Sequence, residues 1–265
     1  HLPQRVVVEN RTGAGGNIGA SAVAKAAPDG ATFLFTNTGH AVNRSLYRTL
    51  DYDPEGDLLP VSVIAESPMV LLVPPNGPDR DVAALVARAR RERLTYGSTG
   101  AGGALQLVSL LLQQAAGITM EEVPYRGSAP AAQDLAAGRL DMLYDAGATA
   151  FPLAQGGLAR ALAVSGPRRS AVMPEVPTIG EAGFPAATFM VWQALLAPRG
   201  TPPAIIGALH AAVAAVLAEP RLRARLTELG AESIPASAPD AAAAFIRGEM
   251  ARWQAVLRAA NIQPQ

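Results

Sequence analysis

The chain reads as an α/β protein of two lobes, and three observations lead there. Strand-like runs alternate with helix-like ones, the order that builds βαβ units around a mostly parallel sheet. The pentapeptide Thr-Gly-Ala-Gly-Gly occurs twice, at Thr12–Gly16 and Thr99–Gly103, each time after a short apolar run and before helical spacing. Between the copies, Pro74-Pro75-Asn76-Gly77-Pro78 breaks the chain and reads as a linker between lobes. With 265 residues, 49% of them hydrophobic, the sequence can supply a core for each lobe.

The elements follow in order. Val6–Glu9 is predicted as a strand, then Ile18–Ala27 as an Ala-rich helix stopped by Pro28-Asp29-Gly30. Thr32–Thr36 is a strand ending in the polar turn Asn37-Thr38-Gly39-His40. Val61–Ala65 and Met69–Val73 are two β-branched strands. Asp81 caps a helix through Arg91, with Val82, Leu85, Val86 and Ala89 on its apolar face. Leu94-Thr95-Tyr96 leads into the second glycine turn and the helix Leu105–Ala116. Glu121–Tyr125 is a strand, and Pro130 sits at a first helical position of the helix that ends near Gly138. Strands follow at Leu140–Tyr144, Ala159–Ser165 and, after a Pro-rich loop, Met190–Leu196. The remaining residues read as two or three amphipathic helices.

A strand, a glycine turn and a helix start aim unpaired backbone N–H groups at one point, beside the positive end of the helix. One such turn commonly does no more than allow close packing. Two copies point to two lobes gripping one acidic ligand. Nucleotide loops do not fit, because neither copy has the Gly-Lys-Ser/Thr ending of a P-loop or the glycine spacing of a dinucleotide fingerprint.

Lys+Arg and Asp+Glu both number 22, so bulk charge does not call for nucleic acid or an anionic membrane. Cysteine is absent, which excludes thiol nucleophiles and Cys-based metal sites. No apolar run approaches the ~20 residues of a membrane helix. No metal-ligand cluster, His-Glu-x-x-His helix or Gly-x-Ser-x-Gly elbow is present, so no cofactor, no metal and no catalytic set is expected. His40 is the one histidine placed near a site. Asp141 and Asp145 are separated by ~13 Å of strand rise, with Asp141 assigned to a structural turn. Asp145 is the better site candidate, because open α/β folds bind ligands at the carboxyl ends of strands. Arg126 could pair with a carboxylate or lie solvated in its loop. Trp192 and Trp253 read as core.

VVVENRTGAGGNIG (Val6–Gly19), YGSTGAGG (Tyr96–Gly103), VPYRGSAPAAQDLAAGRLD (Val123–Asp141), PEVPTIGEAGF (Pro174–Phe184) and WQALLAPRGTPP (Trp192–Pro203) occur in that order. Together they resemble the Bug family of extracytoplasmic solute receptors, the substrate-binding proteins of tripartite tricarboxylate transporters. The resemblance covers essentially the whole chain. It implies a two-lobed periplasmic binding protein of type II architecture. Each lobe would be a mostly parallel sheet flanked by helices, closing on a small carboxylic or amino acid and delivering it to membrane permease subunits. It also implies a periplasmic, monomeric protein that is not an enzyme.

Carried over residue by residue, it places the carboxylate at Ser98, Thr99, Gly100, Gly102 and Gly103, and a second ligand group at Asp145. Asn37 and Thr38 contribute from lobe one. Arg126, Thr12 and Gly13 are further candidates, with the first glycine turn serving mainly as scaffold. Gln106-Leu107 departs from the His-Leu common in the family. Members begin with one more strand, glycine turn and helix, so the chain reads as lacking its first strand–helix unit. The lobes are expected at 1–73 with 188–265, and at 74–187, crossing at Pro74–Pro78 and Met190–Leu196, with two separate sheets. Two other readings stand behind the receptor: an enzyme acting on a small organic acid on a similar fold, with His40 or Asp145 as base, and a sensory or adaptor protein.

Overall fold

A computed structural model describes residues 5–11, 13–231, 234–259 and 262–264. In chain order it contains α1 (Asn17–Ala24), β1 (Leu34–Asn37), α2 (Gly39–Leu46), β2 (Leu58–Val73), α3 (Val82–Ala89), β3 (Thr95–Ser98) and α4 (Ala104–Ala116). Next come β4 (Glu121–Pro124), α5 (Ser128–Ala136), β5 (Met142–Ala146), α6 (Gly147–Gln155), β6 (Arg160–Val164) and β7 (Met190–Pro198). Three helices close the chain: α7 (Pro203–Ala218), α8 (Pro220–Glu228) and α9 (Pro239–Ala259). The fold is mixed α/β with helices flanking the strands. Among the described residues no single helix is long and apolar enough to cross a membrane.

The chain divides into two compact units, His1–Glu66 with Trp192–Thr227 and Ser233–Gln265, and Ser67–Val191 with Glu228–Glu232. The first change of unit falls at Glu66–Ser67, inside β2, and the expected crossing at Pro74–Pro78 lies within the second unit. The polar step Glu66-Ser67-Pro68 reads as a gap between two strands. The backbone instead stays extended through it, giving one strand of 16 residues. The strands follow the hydrogen-bonded path β1-β7-β2-β5-β3-β4 with β6 on β2, the β1–β7 ladder belonging to one sheet and the ladders among β2, β3, β4, β5 and β6 to another.

In the first unit β1 pairs antiparallel with β7, Leu34 opposite Leu196. Trp192 and Trp253 are buried, and their indole N–H groups both donate to Glu249 Oε2, at 3.3 and 3.1 Å. Phe245 packs edge-on to Trp192 at 5.8 Å. These are the core roles expected of both tryptophans. Val6–Glu9 is not a strand: Val6, Val7 and Val8 are 69%, 81% and 83% exposed, and no strand among the described residues pairs with them. β-Branched propensity alone does not satisfy backbone N–H and C=O groups without a neighbouring ladder.

In the second unit β3 runs parallel to β4 and to β5, as the alternating pattern predicts. The mostly parallel expectation stops there, since β5 and β6 both pair antiparallel with β2. Asp81 caps α3 by accepting the Ala84 N–H at 2.7 Å. At the amino ends of β3 and β5, Arg88 is shared between Asp79 and Asp141, both at 2.7 Å, and Asp141 also accepts the Thr95 N–H at 2.9 Å. Asp141 therefore has the structural role its position suggested.

Candidate functional site

Parallel strands place their carboxyl ends on the same edge, and here each of three is followed by a helix. β3 passes through Thr99–Gly103 into α4, β4 through Tyr125–Gly127 into α5, and β5 turns directly into α6. This edge of the second unit thus gathers three helix N-termini, each with first-turn N–H groups that lack intrahelical partners. Partial positive charge concentrates there, which suits an anion.

Glycine makes the first of these turns possible. Gly100 and Gly102 have φ of 87° and 78°, a region that costs other residues strain. The Gly103 N–H returns to the Gly100 carbonyl at 3.0 Å, and the first helical bond of α4 runs from Leu107 N–H to the Gly103 carbonyl. The amides of Ala104, Leu105 and Gln106 are therefore the open donors of α4. Not every donor of the turn is open. Gly100 N–H donates to Ser98 Oγ at 3.1 Å and Gly102 N–H donates to Gln106 Oε1 at 2.9 Å. Ser98 is fully buried and its hydroxyl donates to Glu122 Oε1 at 2.5 Å, so Thr99 carries the exposed hydroxyl of this turn.

Asp145 is the next-to-last residue of β5, at the same edge. It is 2% exposed, its Oδ1 accepts the Ala146 N–H at 2.8 Å, and its Oδ2 has no partner. Burial raises its pKa above the ordinary value, against smaller opposing effects of the Thr149 hydroxyl, the Ala146 amide and the Ser128 hydroxyl. Arg126 lies exposed in the turn between β4 and α5, with no ion-pair partner among the described residues. Ser98 and Asp145, in the last residues of β3 and β5, and Thr99–Gly103 and Arg126, on the turns after β3 and β4, thus fall at one strand edge.

The first unit assembles a second polar group. Asn37 Oδ1 accepts the Gly39 N–H at 2.9 Å, capping α2, and the buried Thr38 Oγ1 accepts the Trp192 N–H at 3.1 Å. What read as a polar turn is the start of a helix, because Asn37 supplies the cap and Gly39 its first residue. The glycine turn Gly13–Gly16 has positive φ throughout, Ala14 included, and lies beside this helix start. A Cβ on Gly15 would lie 2.9 Å from the Tyr47 hydroxyl, and one on Gly39 3.7 Å from the Gly15 carbonyl. Asn17, Asn43 and Tyr47 around it were not anticipated. Thr12 lies outside the described residues. His40 is 2% exposed, its Nε2 bonds the Pro54 carbonyl at 3.1 Å, and burial lowers its pKa to about 4. It is a neutral core residue rather than a base facing a ligand.

Glu122 is the residue that sequence reasoning missed in the second unit. Its role depends on β3–β4 register, which sets Glu122 beside Tyr96, and no local pattern announces that. Gln106 was visible only as a departure from the family pattern.

The model of the family described as "Tripartite tricarboxylate transporter family receptor" matches residues 1–262. Protein BugT of Bordetella pertussis is 35% identical over 97% of this chain and 80% of its own length. An R. palustris protein solved with adipate superposes with a TM-score of 0.88 at 40% identity, over 98% of this chain and 87% of that one. MatC from Rhodopseudomonas palustris, solved with bound malate, gives 0.81 at 35% identity over 92% and 85%.

Proposed function

We propose, from the premise that this chain belongs to the tripartite tricarboxylate transporter receptor family, that it is a periplasmic receptor for a small carboxylated solute. It acts as a monomer, takes the acid up without transforming it, and delivers it to the permease subunits of a transporter. The observation that carries this reading is the edge of the second unit where three helix N-termini meet a glycine turn. A carboxylate there would accept from the open amides of α4. The exposed Thr99 hydroxyl and Arg126 stand on neighbouring loops. Support for the ligand class comes from the family and from the two similar structures solved with adipate and with bound malate. Of the two bases an acid–base reading would need, His40 is buried with Nε2 engaged.

The test is a thermal-shift panel of small carboxylates, with adipate and malate included. A ligand at 100 times its Kd stabilises the native state by about 2.7 kcal/mol, so at least one acid should raise Tm clearly and be recovered unchanged. A panel in which none does so at millimolar concentration would overturn the reading.

A further inference from the structure

We propose that Glu122 is a positioning residue for the acid-binding turn: one carboxylate on β4 holds both left-handed glycines of Ser98–Gly103, each through a single intermediary side chain. The proposal rests on the acid-binding reading of that turn.

Two hydrogen-bond chains converge on Glu122. In one, Gly100 N–H donates to Ser98 Oγ at 3.1 Å, and the Ser98 hydroxyl donates to Glu122 Oε1 at 2.5 Å. In the other, Gly102 N–H donates to Gln106 Oε1 at 2.9 Å, and Gln106 Nε2 donates to Glu122 Oε1 and Oε2 at 3.1 and 2.9 Å. The polarity is forced by chemistry. A carboxylate only accepts, so the amide of Gln106 must turn its NH2 toward Glu122 and its oxygen toward Gly102. The serine hydroxyl must likewise donate to Glu122 and accept from Gly100. Both chains end on a charge, so each link is polarised in the same direction as the next.

The arrangement fixes which donors a ligand can reach. With the Gly100 and Gly102 amides drawn toward Glu122, the turn is held with the first-turn amides of α4 open. Glu122 does not touch the ligand in this account. It acts through Ser98 and Gln106. The same carboxylate, together with burial, keeps the Tyr96 hydroxyl protonated well above its ordinary range, burial being the larger cause.

The swap Glu122→Gln with Gln106→Glu tests this directly. Glu122→Gln alone, with its oxygen kept on Ser98, sets a donor against the Gln106 NH2 in place of the 2.9 Å acceptor and weakens that chain to its 3.1 Å contact. Adding Gln106→Glu restores a full donor–acceptor order: the carboxylate now at position 106 accepts from Gly102 and from the side-chain amide now at position 122, whose oxygen still accepts from Ser98. Two readouts are taken on the full chain: the amide proton resonances of Gly100 and Gly102 without ligand, and the Kd for adipate and for malate by calorimetry. Glu122→Gln should move the Gly102 amide upfield and weaken acid binding at least tenfold, and the double variant should recover most of both. A single variant with unmoved glycine amides, or a double variant no better than the single, would overturn the proposal. Should the parent protein bind neither acid, the functional reading fails on its own, and the glycine resonances still decide the positioning role.

Discussion

Replacing Asp145 with asparagine should stabilise the protein at neutral pH and weaken its hold on acids that carry a hydroxyl. The side chain is 2% exposed, and only one of its two oxygens has a partner. An acid whose pKa is raised by folding costs stability when it ionises. Stability is then fullest below the unfolded value, 3.8 here, and declines as pH rises through the folded value. Asparagine keeps the shape and the acceptor for the Ala146 N–H, carries no charge, and can donate toward the Ser128 and Thr149 hydroxyls. A buried polar atom left unpaired costs about 1–3 kcal/mol. A gain of that order raises Tm by roughly 2–4 °C per kcal/mol in a protein near this size. Thermal melts of both proteins from pH 4 to pH 8 should show the advantage of Asp145→Asn growing with pH. In calorimetry, malate, which has a hydroxyl to donate, should lose more affinity than adipate, which has none. An advantage that does not change with pH, or a variant less stable at pH 8, would refute this account of Asp145.

Three further outcomes are expected. Arg88→Met leaves the buried Asp79 and its neighbour Asp141 without their shared cation and should cost about 3–5 kcal/mol in urea unfolding; converting both aspartates to asparagine in the same chain should recover a large part. His40, with a pKa lowered from 6.5 to about 4 by burial, contributes stability that is complete above 6.5 and lost as pH falls toward 4. That loss is about 3 kcal/mol, and urea unfolding of His40→Gln at pH 7 and pH 4 should show a correspondingly smaller drop. Gly100→Val meets no atom within 4 Å of its Cβ, so its cost is the left-handed backbone, roughly 1–2 kcal/mol; adipate affinity should fall more than tenfold while the fold survives in circular dichroism.

The second unit was the more legible. The step from Leu94–Tyr96 through glycines to a helix, and the Asp145 strand end, follow from local patterns, and parallel pairing brings them together. What the sequence withheld depends on partners distant along the chain. β2 hides its continuity behind Glu66-Ser67-Pro68, three residues that look like a loop until strands are set beside them. α2 and α6 begin at Gly39 and Gly147, residues that signal turns when seen alone; in α2 an Asn37 cap turns the signal into a helix start. The antiparallel pairing of β2 with β5 and β6 is a tertiary choice that no run of residues encodes. Val6–Val8 shows the opposite error, strong strand propensity with no ladder beside it. At the site, glycine positions were readable because φ above zero restricts the residue type. The Glu122 network was not, because it needs the register of two strands.

The most direct test of the central claim is a titration of isotope-labelled protein with adipate, followed through backbone amide resonances. Saturable shifts concentrated at Ala101, Ala104, Leu105 and Gln106, with smaller ones at the starts of α5 and α6, are the predicted result. Saturable binding that leaves those amides unmoved, or the absence of saturable binding by adipate, malate and related acids, would contradict it.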